Sequence, residues 1–310
     1  MDINARPPVV VAIGDEDEHY AAVRFAAVEA VREGRPLRVV HVIHPPFLGP
    51  GPEQMLLTFE DAEIVGGKLL QAAVDRAEEV VAGRIPVTKR LRHGPVVPVL
   101  VETSEHADRV VLQHRHPTGL RRVFTGSVCS GVAGHAHVPV VSVPELWTDH
   151  NSAARVVVGV DDTTGNHRLL EPAFALAAER KASLVVLHAW YIPSMYDEAM
   201  LGRAAVEEVR GKLSSQIADE MAVWEAAYPT VDAQLHLSPA RPADALVAAS
   251  EGSDLLLLGR RSAAHSLTHL GSVTRALIRE SRCPVMVLPP ASKATDTEDL
   301  TTVEQRKDQR

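Results

Sequence analysis

The stretch VVVGVDD (Val156–Asp162) is an apolar run that ends in two carboxylates, and it closely reproduces VVVAIGD (Val9–Asp15). LVVLHAWYIP (Leu184–Pro193) reproduces LRVVHVIHP (Leu37–Pro45) in the same way. Both pairs of segments are offset by 147 positions. A constant offset over segments that lie far apart indicates an internal duplication.

The offset persists through the rest of each unit. SDLLLLG (Ser253–Gly259) follows ADRVVLQ (Ala107–Gln113) by 146 positions, and Gly271 follows Gly126 by 145. The drift of two positions means small changes in loop length between two copies of one domain.

The domain boundary is predicted in PELWTDHNSAAR (Pro144–Arg155), which is polar and lacks apolar periodicity. The predicted domains are therefore 8–144 and 155–290. The remaining segment, 291–310, has few apolar residues and mixed charge, and it is predicted to be a disordered tail.

Within each copy, short Val/Leu-rich runs alternate with longer helical patterns. Continuous apolar strands separated by helices are typical of a parallel sheet covered on both faces. The expected fold class is α/β, with two tandem doubly wound, Rossmann-like domains. The last strands, PVVSVP and PVMVLP, could pair with each other or across a dimer, and the sequence leaves both arrangements open.

Composition argues against a nucleic-acid-binding, membrane-spanning or disulfide-rich protein. Of the 310 residues, 45% are hydrophobic, and the formal net charge of −8 argues against a general nucleic-acid binder. No apolar run is long enough to span a membrane, and no signal peptide is evident at the N-terminus, so a cytoplasmic protein is expected. Cys129 and Cys283 do not suggest a disulfide framework.

GRRSAAHSLTHLGSV, which begins at Gly259, is the strongest candidate for a binding site. A glycine at a strand end allows a ligand to approach the backbone, and Gly271-Ser272 opens a helix whose first N–H groups favour an anion. Arg260 and Arg261 could donate to phosphate oxygens. Asp161, at the end of the first strand of this copy, could accept from a ribose hydroxyl or an adenine amine.

These motifs resemble the universal stress proteins in their tandem two-domain form. The resemblance implies five parallel strands per domain in the order 3-2-1-4-5, frequent homodimerisation, a role in stress response, and binding of ATP, with magnesium, by some members. It implies that the backbone of Ala189 faces adenine. The phosphate motif that it implies falls on Gly259, Ser262, Gly271 and Ser272, and Ser262 stands where nucleotide-binding members have a second glycine. Arg260, Arg261 and Val273 complete the candidate phosphate contacts.

The first copy departs further from this motif. Gln113 and His116 replace the two glycines, and Gly14 stands in the place of Asp161, with Asp15 beside it. Only Gly126-Ser127 remains of the phosphate motif. Asp15, Gly126 and Ser127 are the candidate contacts in this copy, and the second copy is the expected site of the ligand.

Other chemistries fit less well. Neither GGK nor GKL is a Walker A loop, because Leu69 and Leu213 stand where Ser or Thr must bind magnesium, and no GxGxxG or GxSxG is present. The histidine pairs suggest solvated loops rather than a metal site; they are His114/His116, His135/His137 and His265/His269. His41 and His188 are expected to be satisfied strand-end imidazoles.

Three functional hypotheses follow. The first is a regulatory protein that binds adenine nucleotide, most of all ATP, in the second domain. The alternatives are a nucleotide-independent scaffold with degenerate sites and a slow nucleotide hydrolase. No residue offers a clear general base, so no catalytic residue is assigned and the protein is not expected to be an enzyme.

Overall fold

The computed structural model describes residues 6–14, 20–44, 59–114, 125–149, 154–161, 167–190, 203–260 and 270–290. These residues form ten strands and eight helices. The first repeat comprises β1 (Val9–Ile13), α1 (Ala21–Glu33), β2 (Leu37–Ile43), α2 (Phe59–Val81), β3 (Val87–His93), α3 (Val96–Ser104), β4 (Arg109–His114), α4 (Thr125–His135) and β5 (Val140–Pro144). The second comprises β6 (Arg155–Val160), α5 (His167–Arg180), β7 (Ser183–Ala189), α6 (Arg203–Ala227), β8 (Ala233–Ser238), α7 (Pro242–Ser250), β9 (Leu255–Gly259), α8 (Ser272–Glu280) and β10 (Val285–Leu288).

All ten strands lie in one sheet, in the order β3-β2-β1-β4-β5-β10-β9-β6-β7-β8. Within each repeat every pairing is parallel, for example Val11 with Val39 and Val158 with Val186. Numbered within its own repeat, each half has the order 3-2-1-4-5. The predicted doubly wound α/β architecture is therefore confirmed for both repeats.

The two repeats join through their last strands. β10 pairs antiparallel with β5, placing Val285 opposite Ser142 and Val287 opposite Val140. This pairing decides between the two arrangements that the sequence leaves open, because the strands meet each other within one chain.

Helices cover both faces of the sheet, as the apolar strands require. On one face α1, α2, α5 and α6 enclose a core that includes Phe25 and Phe174, both buried. On the other face α3, α4, α7 and α8 enclose a core that includes Leu100 and Leu277. Each core runs through both repeats, so the duplication produces one continuous body.

The beginning of the linker packs on the first repeat. The ring of Trp147 meets that of Phe25 edge to face, with centroids 5.2 Å apart. Arg24 Nη2 donates to the Trp147 carbonyl oxygen at 2.9 Å. Among the helices in the described ranges, none is both long and apolar enough to cross a bilayer. The predicted tail, 291–310, lies outside those ranges.

Candidate functional site

The candidate site lies at the carboxyl edge of the second repeat. β6 is flanked by β7 on one side and β9 on the other, so the strand order reverses at β6. Asp161 follows β6 directly, Ala189 ends β7 and Gly259 ends β9. Ligands of open α/β sheets bind at such a reversal, outside the carboxyl ends of the strands.

Among the described residues, no side chain caps the amino-terminal end of α8. Gly271 is the N-cap, with φ −65° and ψ 159°, and no side-chain hydrogen bond caps the helix there. A Cβ built on Gly271 would meet no heavy atom of the described residues within 4 Å, and Ser272 is exposed. The N–H groups of the first turn, from Ser272, Val273 and Thr274, are positioned as an anion would need them.

Gly259 is closely packed as well as available to a ligand. A Cβ at this position would lie 3.0 Å from Leu169 Cδ2 and 3.3 Å from Leu169 Cδ1. Leu169 belongs to the first turn of α5, which covers the sheet here. The absence of a side chain at Gly259 therefore makes room for α5.

The side chain of Arg260, which follows β9, contacts α4 of the first repeat. Its Nη1 donates to the carbonyl oxygen of Ala133 at 3.0 Å, in the last turn of α4. A cation suits the carboxyl end of a helix, where carbonyl groups lack intrahelical partners. Burial lowers the pKa of the Arg260 guanidinium from its ordinary value. Its backbone N–H donates to Leu288 at 2.8 Å, which fixes the end of β9 against β10.

Among the described residues, the equivalent strand end of the first repeat carries large buried side chains. Gln113 is 9% exposed, and its Oε1 accepts from the backbone N–H of Ala22 at 3.3 Å. Cys129 Sγ donates to the Gln113 carbonyl oxygen at 3.5 Å. His114 is 1% exposed and lies 2.9 Å from Ser142 Oγ through Nδ1.

These contacts have a counterpart in the second repeat that the sequence analysis did not identify. Gln113 aligns with Gly259, and Ala22 aligns with Leu169 at the offset of 147. In the first repeat the large side chain of this contact is Gln113, on the strand, and it faces Ala22 on the helix. In the second repeat the large side chain is Leu169, on the helix, and it faces Gly259 on the strand. Comparing the two repeats position by position would have revealed this exchange, whereas the contact of Arg260 with Ala133 had no sequence signal.

Some of the predicted site residues lie outside the described part of the chain. They are Asp15, Arg261 and Ser262. Gly126 and Ser127 lie in the first turn of α4, as the motif predicts. Their side chains are not described.

Three described histidines, His41, His188 and His135, lie within hydrogen-bond distance of backbone carbonyl oxygens. His41 Nδ1 lies 3.1 Å from the Ile13 carbonyl oxygen, and His188 Nδ1 lies 3.2 Å from that of Val160. Both rings are buried, as expected of satisfied strand-end imidazoles. His135 Nδ1 lies 2.8 Å from the Gly131 carbonyl oxygen in its own helix. Within the described ranges, no three His, Cys, Asp or Glu side chains are grouped as metal ligands.

A depression of about 210 Å³ lies at the opposite edge of the sheet. Its lining includes Lys181, Ser183 and Asp232, at the amino ends of β7 and β8. Because the candidate ligand residues are at the carboxyl ends, this depression is not part of the candidate site.

Comparison with known proteins identifies the family. The sequence model described as the universal stress protein family matches the chain twice, over residues 6–144 and 153–289. This chain belongs to the universal stress protein family. The two matches make it a tandem member.

Relatives of similar length are found in mycobacteria. Universal stress protein Rv1996 of Mycobacterium tuberculosis is 31% identical over 297 residues, covering 90% of this chain and 94% of that protein. Universal stress protein Rv2005c of the same organism is 31% identical over 291 residues, covering 90% of this chain and 96% of its own length.

Two solved structures share the fold of the whole chain. A universal stress protein from Archaeoglobus fulgidus gives a TM-score of 0.60 at 19% identity, covering 91% of this chain and 98% of that one. A functionally unknown protein from Pseudomonas aeruginosa gives a TM-score of 0.63 at 16% identity, covering 96% of this chain and 98% of that one. At these identities the comparison establishes the fold alone.

Proposed function

We propose that this tandem universal stress protein is a regulatory protein that binds one adenine nucleotide, ATP with magnesium, in its second repeat. The observation that carries the proposal is the uncapped amino end of α8, beside the reversal of strand order and open at Gly271. A triphosphate there would meet the N–H groups of the first turn and the positive end of the helix dipole.

The remaining contacts follow from position. Asp161 is placed to accept from the ribose or the adenine amine, and Ala189 offers backbone groups to adenine. Gly271, Ser272 and Val273 supply phosphate contacts. Arg261 and Ser262, which lie outside the described residues, stay candidate phosphate contacts on the sequence motif alone. Arg260, which the sequence assigned to phosphate, is proposed instead to hold the end of β9 against α4 through Ala133.

The first repeat is proposed to bind no nucleotide. The buried Gln113 side chain fills its carboxyl edge and accepts from Ala22 N–H. A ligand there would have to displace this buried hydrogen bond, which costs about 1–3 kcal/mol when the donor is left unsatisfied. One nucleotide per chain is therefore expected.

Calorimetric titration of the intact protein with ATP, ADP and cyclic AMP, with and without magnesium, tests the proposal. Gly271→Val places a branched side chain at the mouth of the helix and should abolish binding. Gly126→Val, at the aligned position of the first repeat, is the matched control and should leave affinity unchanged. Binding that is lost in Gly126→Val but kept in Gly271→Val would place the ligand in the first repeat.

Arg260 needs a separate variant. Arg260→Met should keep nucleotide affinity within about threefold, because the guanidinium already has an acceptor in α4. A loss of nucleotide affinity of tenfold or more would indicate that Arg260 binds the phosphate groups. Failure of all three nucleotides to bind at millimolar concentration would remove the whole proposal.

A scaffold without ligand is the second candidate. It is favoured by the continuous sheet through β5 and β10, which joins the repeats by backbone pairing that involves no ligand. In that case the exposed helices would bind a partner or a second copy of the chain. Light scattering with and without ATP separates the two, because a ligand-independent oligomer of unchanged mass supports the scaffold.

A further inference from the structure

β3 is a free edge of the ten-stranded sheet. It pairs with β2 from Val87 opposite Leu37 to His93 opposite Ile43, and no described strand lies on its other side. Its sequence, VTKRLRH, contains three of the basic residues of the chain within four positions. An edge of this kind offers both backbone groups and charge to another chain.

The two faces of β3 differ. Leu91 packs into the core beside α2, and His93 Nε2 lies 3.0 Å from Glu63 Oε1 of that helix. Thr88 and Arg90, on the opposite face, are exposed. Arg92 shares that face and pairs with Glu102 of α3 at 2.9 Å.

Positive charge on this face is only partly neutralised. Arg38 of β2 lies opposite Thr88 and therefore on the same face. Its Nε is buried and has no hydrogen-bond acceptor in the described part of the protein. No ion pair joins Arg90 to a carboxylate of the described residues, so Glu102 is the one described acidic partner of three guanidinium groups.

Successive residues of β3 point their backbone N–H and C=O groups to opposite sides of the strand. Leu37 N–H donates to the Pro86 carbonyl oxygen at 3.0 Å, and Gly94 N–H donates to that of Ile43 at 3.1 Å. In a parallel pair, alternate residues bond to the neighbouring strand. The even-numbered residues of β3 therefore face β2, and Val87, Lys89, Leu91 and His93 direct their N–H and C=O groups outward.

Protection against edge-to-edge aggregation does not account for this charge. Charged side chains on an edge strand do discourage such pairing. However, β8 is the opposite edge of the sheet, with no described strand beyond it, and its sequence AQLHLS has no Lys or Arg. A device needed for solubility would be expected at both ends, and the basic strand occurs only in the first repeat.

We propose that the β3 edge binds an acidic, extended segment of a partner protein by strand addition. The partner strand would pair with the outward backbone groups of β3, as in other β-augmentation complexes. Its side chains alternate between faces, so carboxylates at every second position would meet Arg90 and Arg92. The partner is thus recognised both by charge and by spacing.

Fluorescence anisotropy on the full-length protein tests this with a labelled peptide of about eight residues that alternates Glu and Thr. Arg90→Gln with Arg92→Gln should weaken binding about tenfold or more, as the loss of charge-assisted bonds requires. Arg76→Gln with Arg210→Gln removes the same charge from exposed positions on α2 and α6 and should change affinity less than about twofold.

Two further probes separate strand addition from simple charge attraction. A peptide with its Glu residues in one block, and one N-methylated along the pairing edge, should both bind at least about fivefold more weakly. Equal binding of these peptides, or of a single-stranded DNA of similar charge, would show a general polyanion surface and overturn the proposal. So would the absence of binding to the alternating peptide at millimolar concentration.

Discussion

Arg180 of the second repeat forms a buried ion pair with Glu29 of the first. The side chains are 6% and 2% exposed, and Glu29 also pairs with Arg32 in the next turn of α1. Arg109 lies 3.9 Å from Glu29 and binds Glu33 at 2.6 Å. The contact therefore joins α5 to a charge cluster at the end of α1, on the face opposite the contact of Arg260 with α4.

Glu29→Leu is expected to destabilise the protein by about 3 kcal/mol or more, because it leaves buried guanidinium groups uncompensated. Burial lowers the pKa of Arg180, and Arg32 and Arg109 add to this effect while Glu29 opposes it. Arg180→Met should cost less, since Glu29 keeps Arg32 as a partner. Urea unfolding followed by circular dichroism measures both.

The double variant Glu29→Leu/Arg180→Met should recover part of the loss, because both buried charges are removed. Arg76→Ala, which breaks an exposed pair with Glu79, is the control and should cost less than about 1 kcal/mol. Equal costs for Glu29→Leu and Arg76→Ala would mean that the buried pair does not hold the repeats together.

Gly259→Ala is expected to destabilise the protein by about 1–3 kcal/mol, because the new methyl group would crowd Leu169. Adding Leu169→Ala should relieve the crowding, so the two changes should not be additive. Gly271→Ala, which meets open space, should cost less than about 1 kcal/mol. Similar losses for the two glycine variants in thermal unfolding would contradict this account.

Lys181 ends α5 in the left-handed conformation, with φ 53°. Its N–H donates to Ala178 and that of Ala182 donates to Ala177, as in the equivalent turn of α1, where Gly34 has φ 60°. Lys181→Gly should therefore raise the free energy of unfolding by up to about 1 kcal/mol. The reverse change, Gly34→Lys, should lower it by a comparable amount, and denaturant midpoints that move in the same direction would refute the assignment.

Burial raises the pKa of the Cys283 thiol from 9.0 to about 12, opposed in part by the hydrogen bond from Ser281. In Cys129→Ala, the remaining thiol should resist a disulfide reagent at pH 8 in the native state and react fully in denaturant. The raised folded-state pKa means that the unfolded chain loses its proton first. The contribution of this thiol to the free energy of unfolding is therefore fully present below about pH 9, and it is lost as the pH rises towards 12.

Replacing Cys283 with Ala in the same background should remove that part of the alkaline decline. Comparison of unfolding free energies at pH 8 and pH 10.5 measures the difference between the two proteins. A native thiol that reacts as fast as in denaturant would show that Cys283 is accessible.

Several parts of the candidate site followed from local sequence. Asp161 and Ala189 end apolar runs, and Gly271-Ser272 precedes an amphipathic helix, so their places at the carboxyl edge were predictable from periodicity and topology. The contact of Arg260 with Ala133 was not, because that acceptor is distant in sequence and belongs to the other repeat. Gly259 was assigned to ligand approach, whereas Leu169 gives it a packing role as well.

The duplication, the doubly wound fold of each copy and the weaker motif of the first copy were determined by the sequence itself, because hydrophobic period and repeat offset act over short ranges. Tertiary structure alone decided that β5 and β10 pair within the chain and that Arg180 and Arg260 each reach across the junction. These contacts depend on the antiparallel approach of two similar units, and a linear pattern of residues carries no record of which surfaces that approach brings together.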